Sequence, residues 1–209
     1  MNDLVGFYES KVLPKILDMT MSVRPVMRQR AKVVPLAHGR VLEVGIGSGL
    51  NLSFYDKTKV DRVLGLDPSP ELQVMARKRA EEAGIEVDWL ALSSEKIPLP
   101  DASVDSIVIT YTMCTIPDVH SALLEMGRVL KNEGRLYFSE HGLAPDESVR
   151  RWQHRINPFW KLIAGGCNLN RSVPVMLENA GFLLEDVGTI YLPGLRPLTF
   201  NTWGTAAKA

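Results

Sequence analysis

Two rhythms alternate along the chain: short apolar runs, and longer amphipathic stretches with helical spacing. Leu4, Val5, Phe7, Tyr8, Val12, Leu13, Ile16 and Leu17 trace a helical stripe in which Pro14 predicts a kink, and a second short helix is expected over 25–34. Apolar runs at 40–44, 62–66, 85–90, 106–110 and 135–140 read as strands. In "DPSPELQVMARKRAEEAG", Ser69 caps a helix whose first position is Pro70 and whose stop is Gly84. In "PDVHSALLEMGRVLKNEG", Asp118 is the cap and Gly134 the stop, and a last helix over 172–180 precedes strands at 183–190 and 199–206.

Strands alternating with helices predict an α/β fold, a doubly wound parallel sheet with helices on both faces. Such sheets bind ligands at the carboxyl ends of their strands. Residues 141–171 interrupt the alternation with about thirty residues where a short connection would serve.

The first strand runs into "VLEVGIGSGL", with Gly45, Gly47 and Gly49 spaced G-x-G-x-G. A dinucleotide fingerprint would need a small residue at position 50, which is Leu50, and no Gly-Lys-Ser/Thr phosphate loop follows. Glu43, at the strand end, would repel a pyrophosphate but suits a ligand carrying an ammonium or sulfonium charge. Asp67 ends the second strand about twenty residues after the turn, where a carboxylate can accept from ribose hydroxyls.

Lys+Arg and Asp+Glu are each 24, so no net positive charge favours nucleic acid. Two cysteines, Cys114 and Cys167, are too few for a disulfide framework and lack metal-ligand spacing, which predicts reduced thiols, a cytoplasmic protein and no metal. Charged residues interrupt the first twenty positions, which read as neither a signal peptide nor a membrane span. Oligomeric state is not encoded in these patterns.

"VLEVGIGSG", "VLGLDPSPEL", "SSEKIPLPDASVDSIVITYTM" and "EMGRVLKNEGRLYFSEHG" resemble, in order, the motifs of class I S-adenosylmethionine-dependent methyltransferases of the type 11 domain. The resemblance covers residues 40–141. It implies a Rossmann-like sheet of seven strands, the last antiparallel, and S-adenosylmethionine as cofactor with S-adenosylhomocysteine as product. It places Glu43, Gly45, Ile46, Gly47 and Gly49 at the methionine end, Asp67, Pro68 and Ser69 at the ribose, Ser93, Ser94 and Glu95 along adenine, and Thr110 and Tyr111 at the end of the fourth strand. The usual Asp-Ala-Glu run stands here as Ser93, Ser94 and Glu95. "EHG" and "RWQHRINPFWKLIAGGCNLNR" further resemble thiol S-methyltransferases of the methyltransferase-like group, in which a cysteine also occurs at the place of Cys114. The animal members bear an N-terminal membrane-anchoring segment, which is not seen here.

The resemblance implies an enzyme acting on a small, fairly apolar acceptor: a thiol, or alternatively a quinone-precursor carbon or a lipid amine. A regulatory protein that binds S-adenosylmethionine without turnover is the non-catalytic alternative. A thiol is only a few per cent ionised at neutral pH, so a base would help. His141 is the candidate base, or else a turn residue, while Glu140 is expected to be buried and paired with a cation. Tyr8, Thr112, Trp160 and Cys167 are candidates for the acceptor pocket, Cys167 otherwise being a small buried hydrophobe. Trp152, Phe159 and Trp160 are expected to pack the insertion onto the sheet, or to form an apolar lid with the N-terminal helix. The expected organisation is one domain over 1–209, divided into a helical segment (1–38), a cofactor-binding core (39–140), an insertion over the acceptor pocket (141–171) and a C-terminal helix with strands (172–209).

Overall fold

A computed structural model of the chain describes residues 12–209. Two helices, α1 (Leu13–Met21) and α2 (Arg24–Val33), precede a sheet built from β1 (Gly39–Val44), β2 (Val60–Leu66), β3 (Val87–Leu90), β4 (Val104–Thr110), β5 (Leu130–His141), β6 (Phe182–Tyr191) and β7 (Phe200–Lys208). Helices α3 (Pro70–Ala83), α4 (Val119–Val129), α5 (Glu147–Ile163), α6 (Val173–Asn179) and the short α7 (Arg196–Thr199) complete the chain. The strand order is β3-β2-β1-β4-β5-β7-β6. β1 to β5 run parallel, and β7 is antiparallel to both its neighbours. This is the expected Rossmann-like sheet.

Alternation along each strand makes two cores. Leu42, Val44, Ile107, Ile109, Leu136 and Phe138 face α4 and α6 through Leu123, Met126 and Leu177. Val41, Val63, Val108 and Tyr137 face the other way, with Val33 and Ala80. Glu43 shares the side of Val41, the same side of the sheet as α2.

Local punctuation behaves as the sequence predicts in α3, where Ser69 accepts from the Leu72 N–H and Gly84 closes the helix in a left-handed conformation. Asp118 likewise caps α4 through the Ser121 N–H. Pro14 lies in the first turn of α1, where a missing N–H costs nothing, and the part of the predicted stripe before Val12 lies outside the described residues. Two details differ. α4 ends at Val129, and β5 begins at Leu130. Pairing with β4 then jumps from Val104↔Leu130 to Ser106↔Arg135, so 131–134 form a bulge instead of a helix end. Gly134 is needed there because a Cβ would approach the Asp105 carbonyl oxygen to 2.8 Å. Finally, the insertion contains a 17-residue helix, α5, with Pro158 in its interior.

Candidate active site

The chain leaves β1 into a turn at the carboxyl edge of the sheet, beside the β1–β4 switch point. Gly45, Gly47 and Gly49 are left-handed there, with φ of 70°, 54° and 82°. A Cβ on Gly45 would lie 2.3 Å from the Thr112 side chain, and one on Gly49 would lie 3.0 Å from Ala76 Cα in α3. At Gly47 the nearest atom would be the Gly45 carbonyl oxygen, 3.8 Å away, so this glycine faces open space.

Asp67 stitches this turn to the next one. Its Oδ2 accepts from the Gly47 N–H at 2.9 Å and its Oδ1 from the Ser69 N–H at 2.8 Å. Burial nevertheless raises its pKa, against the pull of those two donors. Each oxygen retains acceptor capacity for a ligand hydroxyl. Pro68 is exposed beside it. The Ile46 side chain turns into the sheet against Gly65, leaving its backbone to the turn. From α1, Asp18 accepts from Ser48 Oγ at 2.6 Å and from both terminal nitrogens of Arg79, whose Nη1 also donates to the Ser48 carbonyl.

A buried polar network lies behind the turn. Glu43 is 1% exposed and accepts from Asn51 Nδ2 at 2.9 Å and from the Tyr55 hydroxyl at 2.7 Å. Burial pushes its carboxyl up to about 7, although these hydrogen bonds and the Arg30 charge pull it down. Arg30, from α2, donates to Asn51 Oδ1 at 3.0 Å and to Thr110 Oγ1. Its guanidinium also stands 5.0 Å from the centre of the Tyr111 ring. Tyr111 is itself left-handed (φ 54°), and its hydroxyl donates to Asn201 Oδ1 of β7 at 2.7 Å. Burial pushes that hydroxyl up to about 12. Glu43 and Thr110 are therefore engaged within the wall of the crevice.

After β3, Ser93 Oγ accepts from the Glu95 N–H at 3.3 Å, and Ser94 is buried. Glu95 Oε1 accepts from the Asp118 N–H at 3.3 Å, so that side chain reaches the start of α4.

The far side of the edge is built from β4, β5 and the insertion. Glu140 is fully buried and its Oε1 accepts from the Thr112 and Met113 N–H groups at 2.7 and 3.1 Å, while Oε2 has no hydrogen-bond partner among the described residues. The expected cation is thus replaced by backbone donors, with burial raising the carboxyl to about 7. His141 Nε2 lies 3.1 Å from Cys167 Sγ, and Trp160 Nε1 donates to the same sulfur at 3.1 Å. Cys114 joins them: its sulfur, that of Cys167 and a ring nitrogen of His141 all lie within 4.8 Å of one another. The Cys114 thiol, the imidazole and the indole N–H hold Cys167 well below the ordinary thiol range, while the same pairing and burial push Cys114 up.

Gly45, Gly47, Asp67, Ser69 and Thr112 thus meet at one stretch of the sheet's carboxyl edge, and His141, Trp160 and Cys167 meet in a cluster beyond it. Tyr8 lies outside the described residues. Cys167 is buried as expected, but among polar partners. Trp152 and Phe159 are 57% and 73% exposed, so they do not pack the insertion onto the sheet. The inner face of α5 instead carries Val149, Gln153 and Asn157. Gln153 bonds the Ala144 N–H and the Gly142 and Pro197 carbonyls, and Asn157 Oδ1 accepts from the Leu169 N–H. Arg30 and Asn51 escape a reading by motif. Their only signal is an arginine spaced onto the apolar face of α2 with Val26 and Val33.

A family model described as a methyltransferase domain matches residues 42–138. The chain is 35% identical over 152 residues to thiol S-methyltransferase TMT1B of Homo sapiens, which covers 70% of this chain and 62% of that protein. The chain therefore spans less than two thirds of that relative. It is 30% identical over 181 residues to demethylmenaquinone methyltransferase of Thermus thermophilus, covering 81% of this chain and 82% of that protein. A SAM-dependent methyltransferase from Aquifex aeolicus shares the fold, with a TM-score of 0.63 at 20% identity over 92% of this chain and 97% of that one.

Proposed function

The chain belongs to the methyltransferase-domain family, and from that premise we propose that it transfers the methyl group of S-adenosylmethionine to a small, fairly apolar thiol. The observation that carries this reading is the open side of Gly47 beside the Asp67 carboxyl, a cradle that a Cβ would fill. The backbone at Gly45 and Gly47 lets the methionine end approach, and Asp67 accepts from the ribose. Ser93 and Ser94 border the adenine. When bound, the cofactor supplies an electrophilic methyl on a sulfonium. The chain's own task is to hold an acceptor in line and exclude water, which can contribute on the order of 7–11 kcal/mol.

Likeness to the human thiol S-methyltransferase supports a sulfur acceptor, delivered under residues 141–171. Fuller coverage of demethylmenaquinone methyltransferase favours a second reading, transfer to a quinone-precursor carbon. Calorimetry with S-adenosylhomocysteine tests the cradle. Asp67→Ala should weaken binding by about 1–3 kcal/mol, and Gly47→Val should abolish it. Wild-type affinity in both folded variants would overturn the placement. Labelled methyl from S-adenosylmethionine, offered to a lipophilic thiol, a quinone precursor and a lipid amine, should appear on the thiol. Label on the carbon alone would establish the second reading, and no label on any acceptor in a single turnover would favour a regulatory protein.

A further inference from the structure

Cys114, His141 and Cys167 come from three separate segments: the turn after β4, the end of β5, and the loop after α5. Their sulfur and nitrogen atoms converge within 4.8 Å. Resting on the reading of a thiol acceptor, we propose that these three residues form a binding site for a zinc-class divalent cation whose fourth position receives the acceptor sulfur.

The donor set is two sulfurs and one imidazole, which selects a borderline-soft ion over magnesium or calcium, and three protein ligands leave a tetrahedral ion one open position. In such a site, bonds of about 2.3 Å to sulfur and about 2.1 Å to nitrogen separate the ligand atoms by about 3.5 Å. The 3.1 Å between His141 Nε2 and Cys167 Sγ need only open by a few tenths of an ångström. The scaffold holding the ligands is well tied. The Cys114 carbonyl accepts from both the backbone N–H and the Nδ2 of Asn168 at 2.9 Å. Arg171 donates to the carbonyls of Met113 and Ile116 on either side of Cys114. His141 is fixed in register opposite Asn201 of β7. Beyond the ligands, the Trp160 N–H on Cys167 Sγ supplies the outer hydrogen bond by which metal thiolates are oriented. Cys114 and Cys167 are 3% and 8% exposed and His141 is half-buried, so the cluster sits within the protein and not on its surface.

The cation would perform the ionisation that the acceptor needs. An acceptor thiol taking the fourth position releases its proton to solvent and becomes a metal-bound thiolate. A sulfur lone pair then forms the new S–CH₃ bond as the bond from methyl to sulfonium breaks. That bonding pair passes to the departing sulfur, giving a thioether and neutral S-adenosylhomocysteine. The thioether, a weak ligand, leaves the ion. His141 is then a ligand, not a base.

The test uses the full chain, stripped with a chelator under reductant and titrated with Zn²⁺ and, separately, with Co²⁺. One equivalent of each should bind, and cobalt should show thiolate-to-metal charge transfer with tetrahedral d–d bands. Cys114→Ser, Cys167→Ser and His141→Gln should each lose that spectrum. Trp160→Phe retains all three ligands and should bind Zn²⁺ about tenfold more weakly, as expected for loss of an outer-shell donor. Wild-type protein that binds S-adenosylhomocysteine but gives no cobalt spectrum would overturn the site, as would a spectrum that survives both serine variants or a Cys114–Cys167 disulfide that persists under reductant. Stoichiometric metal with no thiol methylation would support the site while refuting the thiol reading. Chelator-insensitive thiol methylation without the spectrum would do the reverse.

Discussion

The two halves of the sheet's carboxyl edge are made in different ways. Around Gly45–Gly49 and Asp67, the polar groups at the edge are backbone atoms or a side chain bonded to backbone, and all belong to the turns that follow the adjacent strands β1 and β2. Beyond β4, by contrast, side chains approach one another from positions 114, 141 and 167. Apart from Asp67, whose side chain joins the two turns, the first half rests on the path of its backbone. The second half depends on several long-range contacts holding at once.

Arg30 touches both halves, through Asn51 behind the glycine turn and through Thr110 and Tyr111 beside β4. Arg30→Met should therefore have the largest effect, about 2–4 kcal/mol of stability measured by urea unfolding, because several buried acceptors lose a charged donor. Weakened S-adenosylhomocysteine binding should accompany altered Cys167 reactivity. Damage confined to one half would show that the halves are separately supported.

Gly45→Ala should come next. A left-handed alanine costs roughly 1–2 kcal/mol, and its Cβ would displace Thr112. Cofactor affinity should fall while Cys167 alkylation is unchanged, and equal losses in both would contradict the division.

Glu43 adds a pH dependence in the first half, beside the one that the likewise raised Glu140 adds in the second. Its folded pKa of about 7 lies above the ordinary 4.5, so the folded chain holds the proton more tightly. The resulting stability is full below pH 4.5 and is lost as pH rises through 7. Glu43→Gln should flatten this slope, gaining on the order of 1–3 kcal/mol relative to wild type at pH 8. Parallel stability curves for the two proteins between pH 5 and 8 would refute the assignment.

The smallest effect should come from Asp18→Asn. Its ion pair with Arg79 is partly exposed, with side chains 17% and 30% accessible, so the loss should stay within about 1 kcal/mol. Differential scanning should show a slightly lowered Tm, and a larger drop would mean that α1 braces the glycine turn more than its geometry implies.

How legible each half was in the sequence follows the same division. The glycine spacing, Asp67, the Ser69 cap and the Gly84 stop are local signals, each requiring one residue type at one backbone position. The strands followed from apolar runs. What was missed is non-local or inverted in polarity. The inner face of α5 is tied down by Gln153 and Asn157, while Trp152 and Phe159 face outward, so its apolar pattern pointed the wrong way. In "LKNEG", the polar run read as a helix end because nothing local distinguishes it from a bulge closed against Asp105. Cys114, His141 and Cys167 show no spacing motif at all.

The position of β7 has a consequence for how the molecule can be assembled. The strand is translated after the other six, yet it lies between β5 and β6, and it brings Asn201 to the hydroxyl of Tyr111 and to the register position of His141. While a ribosome is still making residues 200–208, β6 has no partner strand and β5 presents a bare edge next to two cysteines. The glycine turn and Asp67, which lie earlier in the chain, can already be in place at that moment, before β7 closes this edge of the sheet. A stalled or clipped product would leave an unpaired strand edge open to other chains.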